Sequence, residues 1–403
     1  MTELPARFTT DLADSLPLAS SSRRWDDPPE HDPPPSASQD DGDPLKTTLL
    51  LINPVPLPPA GPAEIVHLAF CPVPGSPLLL AAVPREFVSH SMKDYHMTFT
   101  SAPCHTLHFW NLATLHGLQR YTPKGLKKLS ESCSLTPGGG GINGLPAFRR
   151  ASGDADVWLA TARFELTANN VSTPRLAAYD VGRGAVGREG LVGGALIRAP
   201  MAWTGERLAA VSVRNATRVV VLRFPFVTST GMMRTGIERE VAGHLGEVKL
   251  VGFLPTGELV SAGVDGYVRV TRLEDGRTVR RIYVSARVGP GLMGIAPDGG
   301  VVVTVWGREV VVWEMGSGRV SGYNLDAVRS YECWPLCVSP DCRYLVCRTE
   351  DGIDVSDAWT GKFRGEWAWQ GPLITAAAVN EESTVLAVGD CKGGIQTFEM
   401  ITA

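Results

Sequence analysis

A short turn sequence recurs at an almost constant interval and constrains the fold of this chain more than any other feature. In the second half, Pro-Thr-Gly, Pro-Asp-Gly, Pro-Asp-Cys and Asn-Glu-Glu each separate two short apolar runs. The matching turn positions, Gly257, Gly299, Cys342 and Glu382, are 42, 43 and 40 residues apart. That period is typical of the blades of a repeat architecture, in which each unit packs against its neighbours. We therefore expect a repeated all-β fold.

The repeat can be followed strand by strand between Gly243 and Gly276, where tight turns separate four short runs rich in β-formers. The four predicted strands are Glu247–Phe253, Glu258–Gly263, Tyr267–Leu273 and Arg277–Val284. Four antiparallel strands joined by tight turns form one blade of a β-propeller. The class predicted for this part of the chain is therefore all-β.

Counting the first strands of such units predicts a seven-bladed β-propeller over residues 46–403. The predicted blades begin near Glu64, Gly144, Leu196, Glu247, Gly291, Cys333 and Leu373. The second blade has the weakest pattern, so six and eight blades stay open as alternatives. The last repeat ends after three strands, at Met400, and the apolar run Thr47–Ile52 precedes the first complete blade. We expect this run to supply the missing outer strand and close the ring.

Several motif residues accompany the clearest repeat. They are Gly243-His244, Pro255-Thr256-Gly257, Ser261 and Asp265-Gly266. This set resembles the WD-repeat family, although Thr271 stands where that family usually has Trp. The next repeat ends its third strand with Trp313-Glu314, which is similar to the family's Trp-Asp. The resemblance implies a propeller that acts as an interaction scaffold, with His244, Ser261 and Asp265 in a structural hydrogen-bond network.

Residues 1–45 differ in composition from the rest of the chain. They hold ten acidic and three basic side chains, a net charge of −7, whereas the remaining residues carry +3. Pro is abundant and few side chains could form a core, so we expect an acidic, Pro-rich, disordered tail. An alternative for part of it is a short helix that docks on a partner through Phe8, Leu12 and Leu16. A body so close to neutral gives no strong signal for nucleic acid.

Three groups of residues could suggest chemistry, and each has a better structural interpretation. His244, Ser261 and Asp265 could form a hydrolytic triad, but no nucleophile-elbow sequence surrounds Ser261. A run of four cysteines could suggest zinc, but the spacings do not fit paired C-x-x-C ligands. These cysteines are Cys333, Cys337, Cys342 and Cys347. Gly138–Gly141 lacks the Lys-Ser/Thr of a phosphate loop and is predicted to be a loop tip. We expect no catalytic residue, no cofactor and no metal ion.

Aromatic and arginine residues between the predicted fifth and sixth blades, and at the end of the sixth, are candidates for partner binding. They are Tyr323, Arg329, Tyr331, Trp334, Trp367 and Trp369. Interface contact is favoured for Arg329 and Tyr331, whereas packing between blades is favoured for Trp367 and Trp369. Three long insertions in the first two blades could also bind partners. They are Arg85–Pro103, Thr122–Asn143 and Arg163–Pro174.

The function expected from these features is a non-catalytic protein-interaction scaffold or adaptor, acting with other proteins in a complex. The alternatives are an enzyme that uses the central channel and a reader of peptides or modified residues. No apolar run approaches the roughly 18 residues that span a bilayer, so no membrane insertion is expected. The sequence has no recognisable secretory signal, and we expect a cytoplasmic or nuclear protein with reduced thiols.

Overall fold

A computed structural model describes residues 236–402 apart from 286 and 330. Before them it describes 215–223 and the strands between 49 and 212 whose bounds are given below. The tail predicted over residues 1–45 lies outside the described residues. All of the described elements lie in one unit, Leu45–Ala403.

The described elements are strands, with one short helix. The first half contains β1 (Leu49–Leu57), β2 (Glu64–Phe70), β3 (Leu79–Arg85), β4 (Met92–Lys93), β5 (His96–Met97), β6 (His108–Asn111), β7 (Gly140–Ile142), β8 (Ala147–Arg149), β9 (Trp158–Leu166), β10 (Ser172–Asp180), β11 (Ala185–Gly190), β12 (Ile197–Thr204), β13 (Arg207–Ser212), β14 (Arg218–Arg223) and β15 (Gly236–Ala242). The second half contains β16 (Val248–Phe253), β17 (Leu259–Gly263), β18 (Tyr267–Thr271), β19 (Thr278–Tyr283), β20 (Leu292–Ile295), β21 (Val301–Trp306), β22 (Glu309–Glu314), β23 (Val320–Asn324), α1 (Leu325–Val328), β24 (Cys333–Val338), β25 (Tyr344–Thr349), β26 (Gly352–Asp357), β27 (Phe363–Ala368), β28 (Ile374–Val379), β29 (Val385–Asp390) and β30 (Ile395–Thr402).

Seven antiparallel sheets form the blades of a β-propeller, as predicted. Blade 1 contains β2, β3 and β6, and blade 2 contains β7 to β11. Blades 3, 4, 5 and 6 are β12–β15, β16–β19, β20–β23 and β24–β27, and blade 7 is β28, β29, β30 and β1. The first strands of blades 3 to 7 contact one another in chain order, and β28 of blade 7 contacts β2 of blade 1. Six of the seven blade starts lie within one residue of the predicted positions.

Where the structure describes the side chains, the core lies between neighbouring blades, because blades 4 to 7 are each covered on both faces. Strands buried on both faces are apolar throughout instead of alternating, and every residue of Val301–Trp306 is buried. Between blades 4 and 5, for example, Val260 and Val268 pack with Trp306 and Trp313. The outer strand β19 differs, since five of its six residues are exposed. Each of these four blades is thus held by the two blades beside it.

The outer strand of blade 7 comes from the other end of the propeller sequence, as expected. Strand β1 pairs antiparallel with β30, from Leu49 opposite Thr402 to Leu57 opposite Ile395. The predicted run therefore extends to Leu57. The buried side chain of Leu49 joins a cluster with Phe398 of β30. Backbone pairing and apolar packing together close the ring and cover an edge that would otherwise be exposed.

The recurring turn depends on one residue with a left-handed backbone. These residues are Gly257, Gly299, Cys342 and Ser383, with φ of 86°, 71°, 59° and 55°. Each donates its backbone N–H to a carbonyl three residues earlier, as Ser383 does to Asn380 at 2.9 Å. The alignment of the last repeat on Glu382 was therefore wrong by one residue. Polar residues surround this turn, so sequence similarity does not distinguish Glu382 from Ser383.

Two predicted loops are partly strands. Arg163–Pro174 was expected to be a long insertion, but β9 and β10 extend into it, with Arg163 opposite Arg175 and Leu166 opposite Ser172. Gly138–Gly141 was expected to be a loop tip, but Gly140 and Gly141 pair with β9. Backbone pairing does not require apolar side chains, so these strand ends leave little pattern in the sequence. Most of Thr122–Asn143 lies outside the described residues.

The closure strand offers a matched pair of substitutions for testing its contribution to stability. Leu49 is 3% exposed, whereas its neighbour Leu50 is 45% exposed. We expect Leu49→Ala to lower the free energy of unfolding by about 3 kcal/mol, because a buried leucine leaves a cavity. Leu50→Ala should change it by less than about 0.5 kcal/mol. Urea unfolding followed by tryptophan fluorescence measures both, and equal losses would contradict the packing of Leu49.

A second pair of substitutions tests the left-handed turns. Non-glycine residues are strained in this conformation, so Ser383→Gly should raise the free energy of unfolding by about 1 kcal/mol. Gly257→Ala should lower it by a similar amount, although an added Cβ at Gly257 would meet no atom within 4 Å. Chemical denaturation of both variants beside the wild type measures the changes. Destabilisation by Ser383→Gly would show that its backbone is not strained.

Candidate partner-binding surface

A buried histidine links the loop that leads from blade 3 into blade 4 to a turn of blade 4. His244 Nδ1 lies 2.9 Å from Asp265 Oδ1, and His244 Nε2 lies 2.8 Å from Ser261 Oγ. The backbone N–H of Leu245 donates to Asp265 Oδ2 at 2.9 Å. The loop between β15 and β16 is therefore joined to the turn between β17 and β18. The three residues suggested by the sequence lie together, and His244 hydrogen-bonds to both of the others.

The protonation states of this network follow from its burial. Desolvation lowers the pKa of His244 below its usual value, although the hydrogen bond to Asp265 opposes the shift. Burial alone would raise the pKa of Asp265, but hydrogen bonds from His244 and the Leu245 N–H lower it overall. At neutral pH, a neutral imidazole can donate from Nδ1 to the Asp265 carboxylate and accept the Ser261 hydroxyl proton at Nε2. Each polar group then has a partner.

Ser261, His244 and Asp265 contact one another in the same succession as the residues of a hydrolytic triad. The accessibility of Ser261 therefore distinguishes a catalytic role from a structural one. Ser261 is only 3% exposed, and it lies on β17, where every residue is buried. A nucleophilic hydroxyl must reach a substrate carbonyl, and this side chain has almost no accessible surface. The arrangement is suited to holding the loops of blade 4 in place.

Two of the six partner-binding candidates make contacts that bury their polar groups. Tyr323 packs against the core between blades 5 and 6, and its hydroxyl donates to the Ala358 carbonyl at 3.3 Å. Arg329 has a buried side chain whose Nε lies 3.3 Å from Asp354 Oδ2. Arg329 also donates to the hydroxyl of Ser356. Because these contacts are internal, neither side chain presents its polar end to a partner.

Tyr331 and Trp334 keep accessible surface. The ring of Tyr331 is exposed, and its hydroxyl donates to Asp354 Oδ2 at 2.7 Å. Trp334, which is half-buried, lies near two arginines, with the guanidinium carbons of Arg348 and Arg308 at 4.5 Å and 5.9 Å from the ring centroid. Cation–π contacts of this kind fix the orientation of the indole. These two residues remain candidates for partner binding.

Trp367 and Trp369 pack toward blade 7. The ring centroid of Trp367 lies 5.1 Å from that of Phe398, and both tryptophans border the cluster between blades 6 and 7. Trp369 donates its indole N–H to the Pro372 carbonyl at 2.6 Å. Both tryptophans therefore contribute to the packing between blades 6 and 7.

The four clustered cysteines are free thiols near the core of blade 6. Cys333, Cys342 and Cys347 are buried, and Cys337 packs against the neighbouring cluster. Burial raises the pKa of Cys337 and of Cys342 to about 12, which disfavours the thiolate that a metal requires. Across the part of the chain that the structure describes, no three His, Cys, Asp or Glu side chains are placed to hold a metal.

Three exposed apolar side chains on the loops of blade 4 were not identified from the sequence. Leu245 is 88% exposed, and Val264 and Val288 are also exposed. They come from three loops, but Gly246 and Gly289 both lie against the Val264 side chain. We name these three residues the apolar ridge. The sequence signal that could have found them is Leu245 itself, a large apolar residue between Gly243-His244 and the first predicted strand of the blade.

A cleft of about 770 Å³ continues from the apolar ridge toward blade 5. It is lined by Tyr283, Val284, Ser285, Arg287, Val288, Trp306, Gly307, Arg308, Glu309 and Asn324. Arg308 is held at its rim by ion pairs with Asp326 and Glu332. Because Arg308 also lies over Trp334, the ridge, the cleft and the indole form one continuous surface. We call it the blade 4–6 surface.

Comparison with solved structures identifies the fold. A chain of the crystal structure of the mitotic checkpoint complex is similar with a TM-score of 0.56 and 10% sequence identity, covering 85% of this chain and 94% of that chain. No protein-family model and no curated protein matches the sequence. Because 1410 solved chains match in structure, this likeness indicates a β-propeller and no particular activity. Among the described helices, none has the length and apolar character needed to cross a membrane.

The lowered pKa of His244 predicts a pH dependence of stability. The unfolded chain takes up a proton at His244 as the pH falls below about 6.5, whereas the folded protein does so only at lower pH. Stability should therefore fall as the pH decreases from 7 to 5, before Asp265 contributes. The His244→Asn variant should be less stable than the wild type at pH 7.5, and its stability should fall less between pH 7 and 5. Urea unfolding of both proteins at several pH values measures the free energy of unfolding. An equal decline in the variant would contradict the assignment of this pH dependence to His244.

Proposed function

We propose that this chain is a non-catalytic protein-interaction scaffold within a multiprotein complex and binds a partner through the blade 4–6 surface. The observation that carries the proposal is the apolar ridge beside the cleft. A leucine exposed to 88%, grouped with two exposed valines on neighbouring loops, forms an apolar patch that water solvates poorly. Apolar patches rimmed by polar residues mark protein–protein contact sites.

The ridge is presented by rigid structure. The Leu245 N–H is hydrogen-bonded to the buried carboxylate of Asp265, which His244 also contacts. The loop is therefore fixed before a partner arrives, and little conformational entropy is lost on binding. This provides a reason for a buried polar network directly below an exposed leucine.

The other end of the surface has side chains that commonly dominate binding energy. Tryptophan, tyrosine and arginine are enriched among interface hot spots. Trp334 lies near Arg308 and Arg348, and Arg308 is held by two carboxylates. Tyr331 adds an exposed ring whose hydroxyl is anchored on Asp354. We propose that these groups surround the apolar contact made by the ridge.

The absence of catalysis is part of the proposal. It is supported by the burial of Ser261 and by the internal pairing of His244 and Asp265. The similar chain from the mitotic checkpoint complex shows that the fold occurs in a multiprotein assembly. We further propose a cytoplasmic or nuclear location, and WD-repeat ancestry on the basis of the motif residues in blade 4.

Paired substitutions test the surface in the full-length protein. Affinity purification with quantitative mass spectrometry identifies stoichiometric partners of the wild type. Leu245→Asp with Val288→Asp should reduce their recovery at least about tenfold, because charges then replace the apolar contact. The control carries Val279→Asp and Val320→Asp, at positions that are 39% and 41% exposed on the outer strands β19 and β23. Both proteins should fold, as circular dichroism checks. Equal recovery with the two double variants would exclude this surface.

A further inference from the structure

Two arginines face each other directly across the outer strands of blade 4. Arg269 of β18 is paired in register with Arg281 of β19. Their guanidinium carbons lie 5.0 Å and 5.7 Å from the centroid of the same Tyr267 ring. Like charges directly opposite on a sheet are destabilising. We call these residues the arginine pair.

Arg269 is incompletely satisfied within the protein. Its side chain is 11% exposed, yet its Nε is buried with no hydrogen-bond partner. Its contact with Asp265 Oδ2 is long, at 3.4 Å. Asp265 already accepts hydrogen bonds from His244 and from the Leu245 N–H. A buried guanidinium donor without a partner costs free energy. Because the Asp265 carboxylate is shared among His244, the Leu245 N–H and Arg269, it does not compensate the whole positive charge of Arg269.

The neighbouring acids do not neutralise the arginine pair. On the adjacent outer strand β15, Glu238 pairs with Arg207 at 2.8 Å and Glu240 pairs with Arg218 at 3.2 Å. No carboxylate within the described residues forms an ion pair with the exposed side chain of Arg281. The arginine pair and Asp265 therefore leave one net positive charge at this position.

A further hydrogen-bond donor lies near the arginine pair. Gly243 has no side chain, and a Cβ added there would lie 3.7 Å from Arg269 Nη1 and 3.7 Å from Thr278 Oγ1. The exposed Thr278 hydroxyl is thus a further donor close to Arg269. Tyr283 stacks edge-on against Tyr267, with ring centroids 5.3 Å apart, and it also lines the cleft. Val268 and Ile282, which alternate with the arginine pair along the two strands, pack toward blade 5. The arginine pair therefore lies on the opposite face of blade 4 and is connected with the blade 4–6 surface through Tyr283.

We propose that the arginine pair, with Thr278, binds the phosphate group of a phosphorylated side chain on a protein partner. A guanidinium binds phosphate oxygens through paired N–H donors. A phosphate carries close to two negative charges at neutral pH, enough to compensate two facing arginines where a single carboxylate would not. The inference rests on the proposed function, because it names the chemistry of the partner that reaches the blade 4–6 surface.

Inorganic phosphate tests the ion site without any partner. Thermal unfolding of the full chain is compared in 50 mM phosphate and in sodium chloride of equal ionic strength. Wild type should gain about 2 °C in Tm beyond the general effect of phosphate, because binding stabilises the folded state. Arg281→Ala should lose this gain, Arg281→Lys should keep part of it, and the exposed control Arg277→Ala should keep all of it. The same gain in wild type and Arg281→Ala would overturn the proposal.

A peptide tests whether the phosphate is carried by a side chain. A fluorescent Gly-Ala-phosphoserine-Ala-Gly peptide is titrated in chloride buffer and followed by anisotropy. Wild type should bind it at least tenfold more tightly than Arg281→Ala does, and the unphosphorylated peptide should not bind. Stabilisation by inorganic phosphate without Arg281-dependent peptide binding would overturn the assignment to a phosphorylated partner. If Leu245→Asp with Val288→Asp loses partners but Arg281→Ala retains them, the proposed function stands and this inference fails.

Discussion

Pairing between β1 and β30 is the constraint on which the rest of the propeller depends. Blades 4 to 7 each bury both faces against their neighbours, so none of these blades has a complete core by itself. Blade 7 lies between blades 6 and 1 and takes its outer strand from the start of the propeller sequence. The packing of Leu49 on Phe398 therefore supports more than one sheet. Closure of the ring joins blades that have no complete core of their own into one cooperative structure.

Because the ring of blades is closed, its loops keep fixed positions and can take part in binding. In blade 4, the His244–Asp265 contact ties a loop to a turn, and Leu245 is presented directly above it. The same carboxylate reaches toward Arg269, whose charge remains only partly compensated. One buried acid thus serves both the exposed apolar group and the proposed phosphate site. We therefore infer that Asp265 contributes both to the stability of blade 4 and to the proposed binding of a partner.

The sequence predicted the blade boundaries because tight turns restrict which residues can follow the strands. A left-handed turn favours glycine, and Gly257 and Gly299 made the period visible. The surface was less predictable, because residue type does not reveal which way a side chain faces. Arg329 has the composition of an interface residue but pairs internally with Asp354. The opposition of Arg269 and Arg281 requires the strand register, which includes a bulge after Val270.

The geometry of closure also determines how the propeller would respond to mechanical load. Leu49 lies opposite Thr402, so the chain enters and leaves blade 7 at the same end of an antiparallel pair. A pulling force applied through the two ends would act across the strands and load the backbone hydrogen bonds one after another. Strands pulled lengthwise would instead share the force among all of their bonds. Blade 7 would therefore unzip before the other blades, while the blade 4–6 surface lies away from the line of force.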